Sequence, residues 1–189
     1  MRKHIKIIAL VLLMAAASLY GGHLVRQARQ QKQAYDTIAQ HPIKAAQAIA
    51  LDQLQFDVKA SYFDGSGYVD CVLATRERPE LYAFHDVVQI ADEELEQAVR
   101  AVVASLGTYT YDWSAERPAV TPGKSCPALS FFAEEQKIPF ETFAIDGNVL
   151  RWTTQIDGGW LVCRYTVDPD ALQIIAQAPY NLYLSRNTP

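Results

Sequence analysis

Three turn sequences built on Asp and Gly limit what this chain can fold into. Asp64-Gly-Ser-Gly67, Asp146-Gly-Asn148 and Asp157-Gly-Gly159 each stand between two strand-like runs, with a period of two from Phe56 onward. Gly, Asn and Asp accept the backbone conformations of tight reversals, and strands joined by such short loops pair antiparallel, because a parallel partner needs a long crossover. The runs are Phe56–Phe63 with Tyr68–Thr75, Phe140–Ala144 with Val149–Ile156, and the last of these with Trp160–Val167. Alternation places Val69, Cys71 and Leu73 on one face of their strand, and Leu161, Cys163, Tyr165 and Val167 on one face of theirs. Cys71 and Cys163 are therefore expected to point into a core. Asp64-Gly-Ser-Gly67 is read as a turn and not as a metal or phosphate loop. It lacks the further oxygen ligands of a calcium site and the Lys-Ser/Thr ending of a P-loop.

Between these hairpins the period changes. Leu81–Ile90 holds strand-like stretches that include Val87-Val88, and Asp92 then suits the N-cap of a helix whose first turn carries Glu93, Glu94 and Glu96. Leu95, Val99, Val102, Val103 and Leu106 make its buried stripe, and Gly107 ends it. The acids cap this helix; their succession alone does not make a catalytic cluster. Thr108–Trp113 alternates again, with Tyr109, Tyr111 and Trp113 on one face, either filling the core or forming a recognition surface. Ser114–Ser125 contains Pro118, Pro122 and Gly123 and reads as the longest irregular stretch, a place for a binding loop. Cys126-Pro127 is expected to open a short helix through Lys137, with Leu129 and Phe132 inward. Asp168–Leu172 is expected to be a turn or a single helical turn, and Gln173–Leu184 one or two short strands around Pro179.

The amino-terminal third is organised differently. Arg2, Lys3 and Lys6 precede an apolar run from Ile7 to Met14, followed by the small residues Ala15, Ala16, Ala17 and Ser18, the anatomy of an export signal. Two fates are open. Cleavage after the Ala15-x-Ala17 pattern releases a soluble periplasmic or secreted protein. Without cleavage, apolar character runs on through residues 7–25, long enough to cross a bilayer, and the basic start keeps the amino terminus in the cytoplasm. His23–Gln40 is a polar helix former with a narrow stripe of Leu24, Ala28, Tyr35 and Ile38, expected to be a stalk. His41-Pro42 interrupts it, and Ile43, Ala46, Ile49, Ala50 and Leu54 mark one face of a second helix. The expected division is a signal or signal-anchor helix at 1–22, a stalk or linker at 23–41, and one exported domain at 42–189.

Charge follows the same division. Residues 1–44 hold seven of the 17 basic side chains and one of the 21 acidic ones, which leaves 10 basic and 20 acidic groups, a net of −10, on residues 45–189. Such a domain does not neutralise phosphates, so no nucleic-acid partner is expected. The chain contains no G-x-S-x-G, H-E-x-x-H, C-x-x-C or G-x-G-x-x-G pattern. No catalytic residue, metal ligand or cofactor site is assigned, and His85 is the only histidine in the expected domain that could line a pocket. With three cysteines an exported chain can form one disulfide. Cys126–Cys163 is the first choice, closing a loop of 37 residues and contributing about 3–4 kcal/mol; Cys71–Cys163 is the second.

The expected fold is α+β: an N-terminal apolar signal or anchor helix and a polar helical stalk, then a mostly antiparallel sheet of five to seven strands with two or three packed helices. This order of parts is similar in architecture to bitopic envelope proteins and pilin-like subunits of Gram-negative bacteria. It departs from the pilin precursor pattern, since Gly21-Gly22 lie at the far end of the apolar run and no acid interrupts Ile7 to Tyr20. The function expected is that of a non-enzymatic envelope protein, single-pass in the inner membrane with its domain in the periplasm. It would dock or assemble another exported or membrane protein through the stalk, through Tyr109, Tyr111 and Trp113, or through the loop with Pro118 and Pro122. The alternative is a soluble periplasmic hydrolase or small-ligand-binding protein, released by cleavage, with a cleft near His85.

Overall fold

The computed structural model describes residues 2–39, 55–75, 87–106, 108–118, 126–132, 141–156 and 159–187. In the first helix it describes the side chains of Met14, 16–34, Asp36 and Thr37 only, so most of the Ile7–Met14 run lies outside the described side chains. The chain forms two compact units, Met1–His41 and Pro42–Pro189.

The first unit is one continuous α-helix, α1, Arg2–Ala39. The expected apolar and polar segments are thus parts of a single element, with Gly21 and Gly22 inside it and open space where a Cβ would stand on either. Met14, Leu19, Tyr20, Leu24 and Val25 are exposed. Among the described residues no helix is long and apolar enough to cross a membrane.

The second unit is an eight-stranded sheet with, among the described residues, two helices, an α+β arrangement with more strands than the five to seven expected. Its strands are β1 Gln55–Phe63, β2 Tyr68–Ala74, β3 Val87–Ile90, β4 Thr108–Ser114, β5 Ala128–Phe132, β6 Glu141–Asp146, β7 Val149–Ile156 and β8 Gly159–Thr166. The spatial order is β3-β2-β1-β5-β6-β7-β8-β4. Every neighbouring pair is antiparallel except β2 with β3. The helices are α2, Glu93–Ser105, and α3, Pro169–Asn187.

The turns behave as their composition requires. Asp64 Oδ1 accepts the backbone N–H groups of Ser66 and Gly67 at 2.8 and 3.0 Å, and Gly65 takes a φ of 98° that a side chain would resist. These hydrogen bonds hold the Asp64 carboxyl below its ordinary value. Gly147 takes a φ of 62° between β6 and β7.

Strand registry assigns each side chain to a face. Val58 lies opposite both Leu73 and Leu129, and Leu129 lies opposite Phe143. Leu150 lies opposite Tyr165, and Tyr165 opposite Tyr109. One face therefore carries an apolar row from β2 to β4, with Phe131, Phe143, Leu150, Leu161, Cys71 and Cys163 all buried. Rings in contact, Phe131–Phe143, Phe143–Tyr165 and Tyr165–Tyr109, run from its centre to the β4 edge at centroid distances of 5.8–6.0 Å. The helices cover this face: Tyr180 and Tyr183 of α3 pack at a tilt against Tyr62 of β1, with ring centroids 5.6 and 5.1 Å apart. The opposite face is more polar. It carries the Lys59–Asp70 pair at 3.0 Å, the Arg164–Asp112 pair and a Ser130–Thr142 hydroxyl hydrogen bond at 3.1 Å.

Helix α2 starts as expected. Asp92 Oδ1 accepts the Leu95 N–H at 2.8 Å, and Leu95, Val99, Val102 and Val103 face the core. Its far end is tied to the next helix, where the Asp168 N–H donates to Ser105 Oγ at 3.2 Å.

Two expectations are corrected. Residues 128–132 are the strand β5 and not part of a helix beginning at Cys126. Leu129, Ser130, Phe131 and Phe132 are all buried, and a strand covered on both faces shows no period of two to distinguish it from a helix. Residues 173–184 belong to helix α3 and not to strands. Asp168 caps it by accepting the Asp170 and Ala171 N–H groups, Pro169 occupies the first turn, and Ala171, Leu172, Ile175, Pro179 and Leu182 form its buried stripe. Pro179 sits inside this helix, where it forgoes one backbone hydrogen bond but is itself buried.

Candidate functional site

Two features of the sheet unit stand at its opposite edges. The first is a groove of about 340 Å³ beside β2 and β3. Leu73, Leu95, Ile174, Ala178 and Leu182 make its floor, contributed by β2, α2 and α3. Gln89 of β3, Asp92 and Glu94 at the start of α2, and Gln177, Asn181 and Ser185 of α3 stand around it. The position follows from local folding. The N-cap at Asp92 starts α2 directly after β3, and the four-residue step from Gln177 to Asn181 to Ser185 puts those three groups on one face of α3. Asp92 is engaged as a cap, and Ser185 donates to the Leu182 carbonyl at 2.8 Å, which leaves its oxygen able to accept.

The second feature is the outer edge of β4. This strand pairs with β8 from Thr108 to Ser114, and on its other side no strand pairs with it among the described residues. Tyr109 and Tyr111 are 38 % and 40 % exposed, and Trp113, on the same face, is half-buried. The aromatic row expected from the alternation is therefore shared between core and surface. Tyr109 packs on buried Tyr165 while part of its ring meets solvent. Arg117 lies over the Trp160 ring at 5.4 Å, beside the start of the loop, and Pro118 follows it. Pro122 and His85 lie outside the described residues, as do the expected helix at 43–54 and the middle of the Ser114–Ser125 loop.

The cysteines are free, Cys71 and Cys163 buried and Cys126 partly buried. Neither expected bridge is formed, and the topology gives the reason. From β2 to β8 the order passes through β1, β5, β6 and β7, five strand spacings of about 4.8 Å each, and from β5 to β8 it makes three. Cys126, just before β5, and Cys71 are thus both separated from Cys163 by more than a disulfide spans. Burial pushes the Cys163 thiol up to about 12 and raises that of Cys71, so neither is an activated nucleophile. Among the described residues no group of three His, Cys, Asp or Glu side chains gathers as metal ligands. Sequence reasoning missed the groove altogether. Its polar residues come from three separate elements, and α3, which supplies half of them, was not expected.

No protein-family model, no curated protein and no solved structure matches this chain.

Proposed function

We propose that this protein is a non-enzymatic component of the bacterial cell envelope, exported behind its N-terminal helix, whose sheet unit docks an extended segment of another exported or membrane protein on the β4 edge. The observation that carries this reading is β4 itself. It is a seven-residue end strand without Lys or Pro, whose one charge, Asp112, is paired with Arg164 of β8, and it has two half-exposed tyrosines on one face. Sheets protect such edges with charge, proline or coverage, and an edge left open accepts a further strand through its backbone groups. Tyrosine suits a contact surface, since it supplies ring area with few rotatable bonds and a hydroxyl that tolerates water. The net charge of −10 on residues 45–189 favours a neutral or basic partner segment.

Two observations favour the membrane location. The described part of α1 leaves Met14, Leu19, Tyr20, Leu24 and Val25 uncovered, and the basic residues before Ile7 orient such a helix with the domain translocated. The inner membrane, with a single pass and a periplasmic sheet unit, is the location this supports.

The test combines fractionation with a blocking substitution. The intact chain is expected in the membrane pellet at its full mass. In a mild non-ionic detergent extract it migrates as a complex that Tyr111→Lys dissociates while a cooperative melting transition is retained, because an edge lysine opposes strand addition. A chain shortened by 17–22 residues in the periplasmic fraction, migrating as a monomer, contradicts the proposal and favours the soluble ligand-binding alternative.

A further inference from the structure

We infer that the groove between the β2–β3 edge and helices α2 and α3 is a binding site for an organic cation with a short apolar stem: an alkylammonium, free or as the end of a lysine side chain. At about 340 Å³ the groove has the size of a small-ligand site. Its floor is aliphatic, with Leu73, Leu95 and Leu182 buried beneath it, so it rewards an apolar stem. Its polar groups among the described residues are uncharged amides, the Ser185 hydroxyl and carboxylates. Among the described residues that line it there is no cation to neutralise a carboxylate or phosphate.

The amides come from two elements with no demand on them from the fold. Gln89 on β3 and Gln177 and Asn181 on α3 are exposed around the groove, and their side chains form no hydrogen bond among the described residues. Each amide can turn its oxygen to accept, as can the Ser185 hydroxyl, so several acceptors line an aliphatic floor; the amides would also donate, and it is the Glu94 charge that selects a cation. Glu94 adds a full negative charge at the same rim. Asp92 contributes less, because its carboxylate is held by the Leu95 N–H. An ammonium carries three donors and one positive charge on an apolar stem, and it satisfies this arrangement with charge-assisted bonds. A carboxylate of the same length meets Glu94 and Asp92 as like charges.

The experiment is calorimetric titration of the full chain in a non-ionic detergent with pentylammonium, and with 1-pentanol, hexanoate and sorbitol as neutral, anionic and polyol counterparts. One saturable site is expected for pentylammonium, at least about tenfold tighter than for any of the other three. Glu94→Gln should weaken it several-fold and flatten its salt dependence. Ala178→Phe, which fills the floor, should abolish it. A melting temperature unchanged in both variants separates these effects from misfolding. Acetyl-lysine-methylamide, bound as well as pentylammonium, identifies a lysine side chain as the occupant; binding of pentylammonium alone identifies a free amine. Absence of saturable binding for both amines overturns the inference, as does equal or tighter binding of hexanoate, pentanol or sorbitol. So does binding of pentylammonium that survives Ala178→Phe.

Discussion

Single residues carry the sharpest tests of the packing. A Cβ built on Gly159 stands 2.6 Å from the Ser114 carbonyl oxygen and 2.8 Å from Trp113 Nε1, closer than atoms approach. This glycine therefore lets β8 begin against β4, and Gly159→Ala should cost about 1–3 kcal/mol through overpacking. A urea midpoint equal to the parent's would contradict that close approach. The cysteines give a second test. Denatured without reductant, the protein should titrate three thiols, with Cys126 reacting first in the native state; a single reactive thiol would mean that a bridge forms after all.

The buried Cys163 thiol also links stability to pH. Its pKa rises from an ordinary 9.0 in the unfolded chain to about 12 when folded, because burial penalises the thiolate. Its contribution is fully present below pH 9 and is lost progressively as pH rises towards 12. Other groups titrate there too, so the measurement is a difference. Stability should fall less between pH 8 and pH 10.5 in Cys163→Ala than in the parent, and an identical fall in both would refute the assignment.

At the scale of elements, helix α3 is the instructive case. The sequence reads as a turn or a single helical turn at Asp168–Leu172 and as one or two short strands around Pro179, whereas one helix runs through both stretches. What decided the matter is tertiary: Tyr180 and Tyr183 find Tyr62, and Ile175 and Leu182 find the sheet. Asp168→Ala removes the acceptor for two N–H groups and should cost about 1 kcal/mol, read as a fall in melting temperature of about 2–4 °C. No change would show that the helix start is held by the α2 contact alone. Strand β5 was illegible for a different reason, since burial on both faces erases alternation. The hairpins and helix α2 were legible because their signals are local: turns of Asp and Gly, and a cap before an amphipathic stripe. Of the candidate sites, the Tyr109–Trp113 row could be read from its period. The groove could not, because its walls meet only after α3 packs on the sheet.

At the scale of the whole molecule, the topology leaves the sheet unit with two unlike edges. At one, β3 is short and bordered by the groove; at the other, β4 is longer, aromatic and open among the described residues. The long crossover through α2 joins these two edges, so the helix that lays the core's lid also places the tyrosines at the far side. The proposed role, receiving a strand from a partner at the membrane, rests on this edge and on the acidic charge of the unit. The most direct test of that claim is site-specific photocross-linking in intact cells, with a benzophenone side chain placed at Tyr111 on β4 or at Gln97 on the exposed side of α2. The account predicts one discrete adduct from position 111, absent from position 97 and lost when Tyr109 is changed to Lys in the same chain. Equal labelling from both positions, or no adduct from position 111, would contradict it.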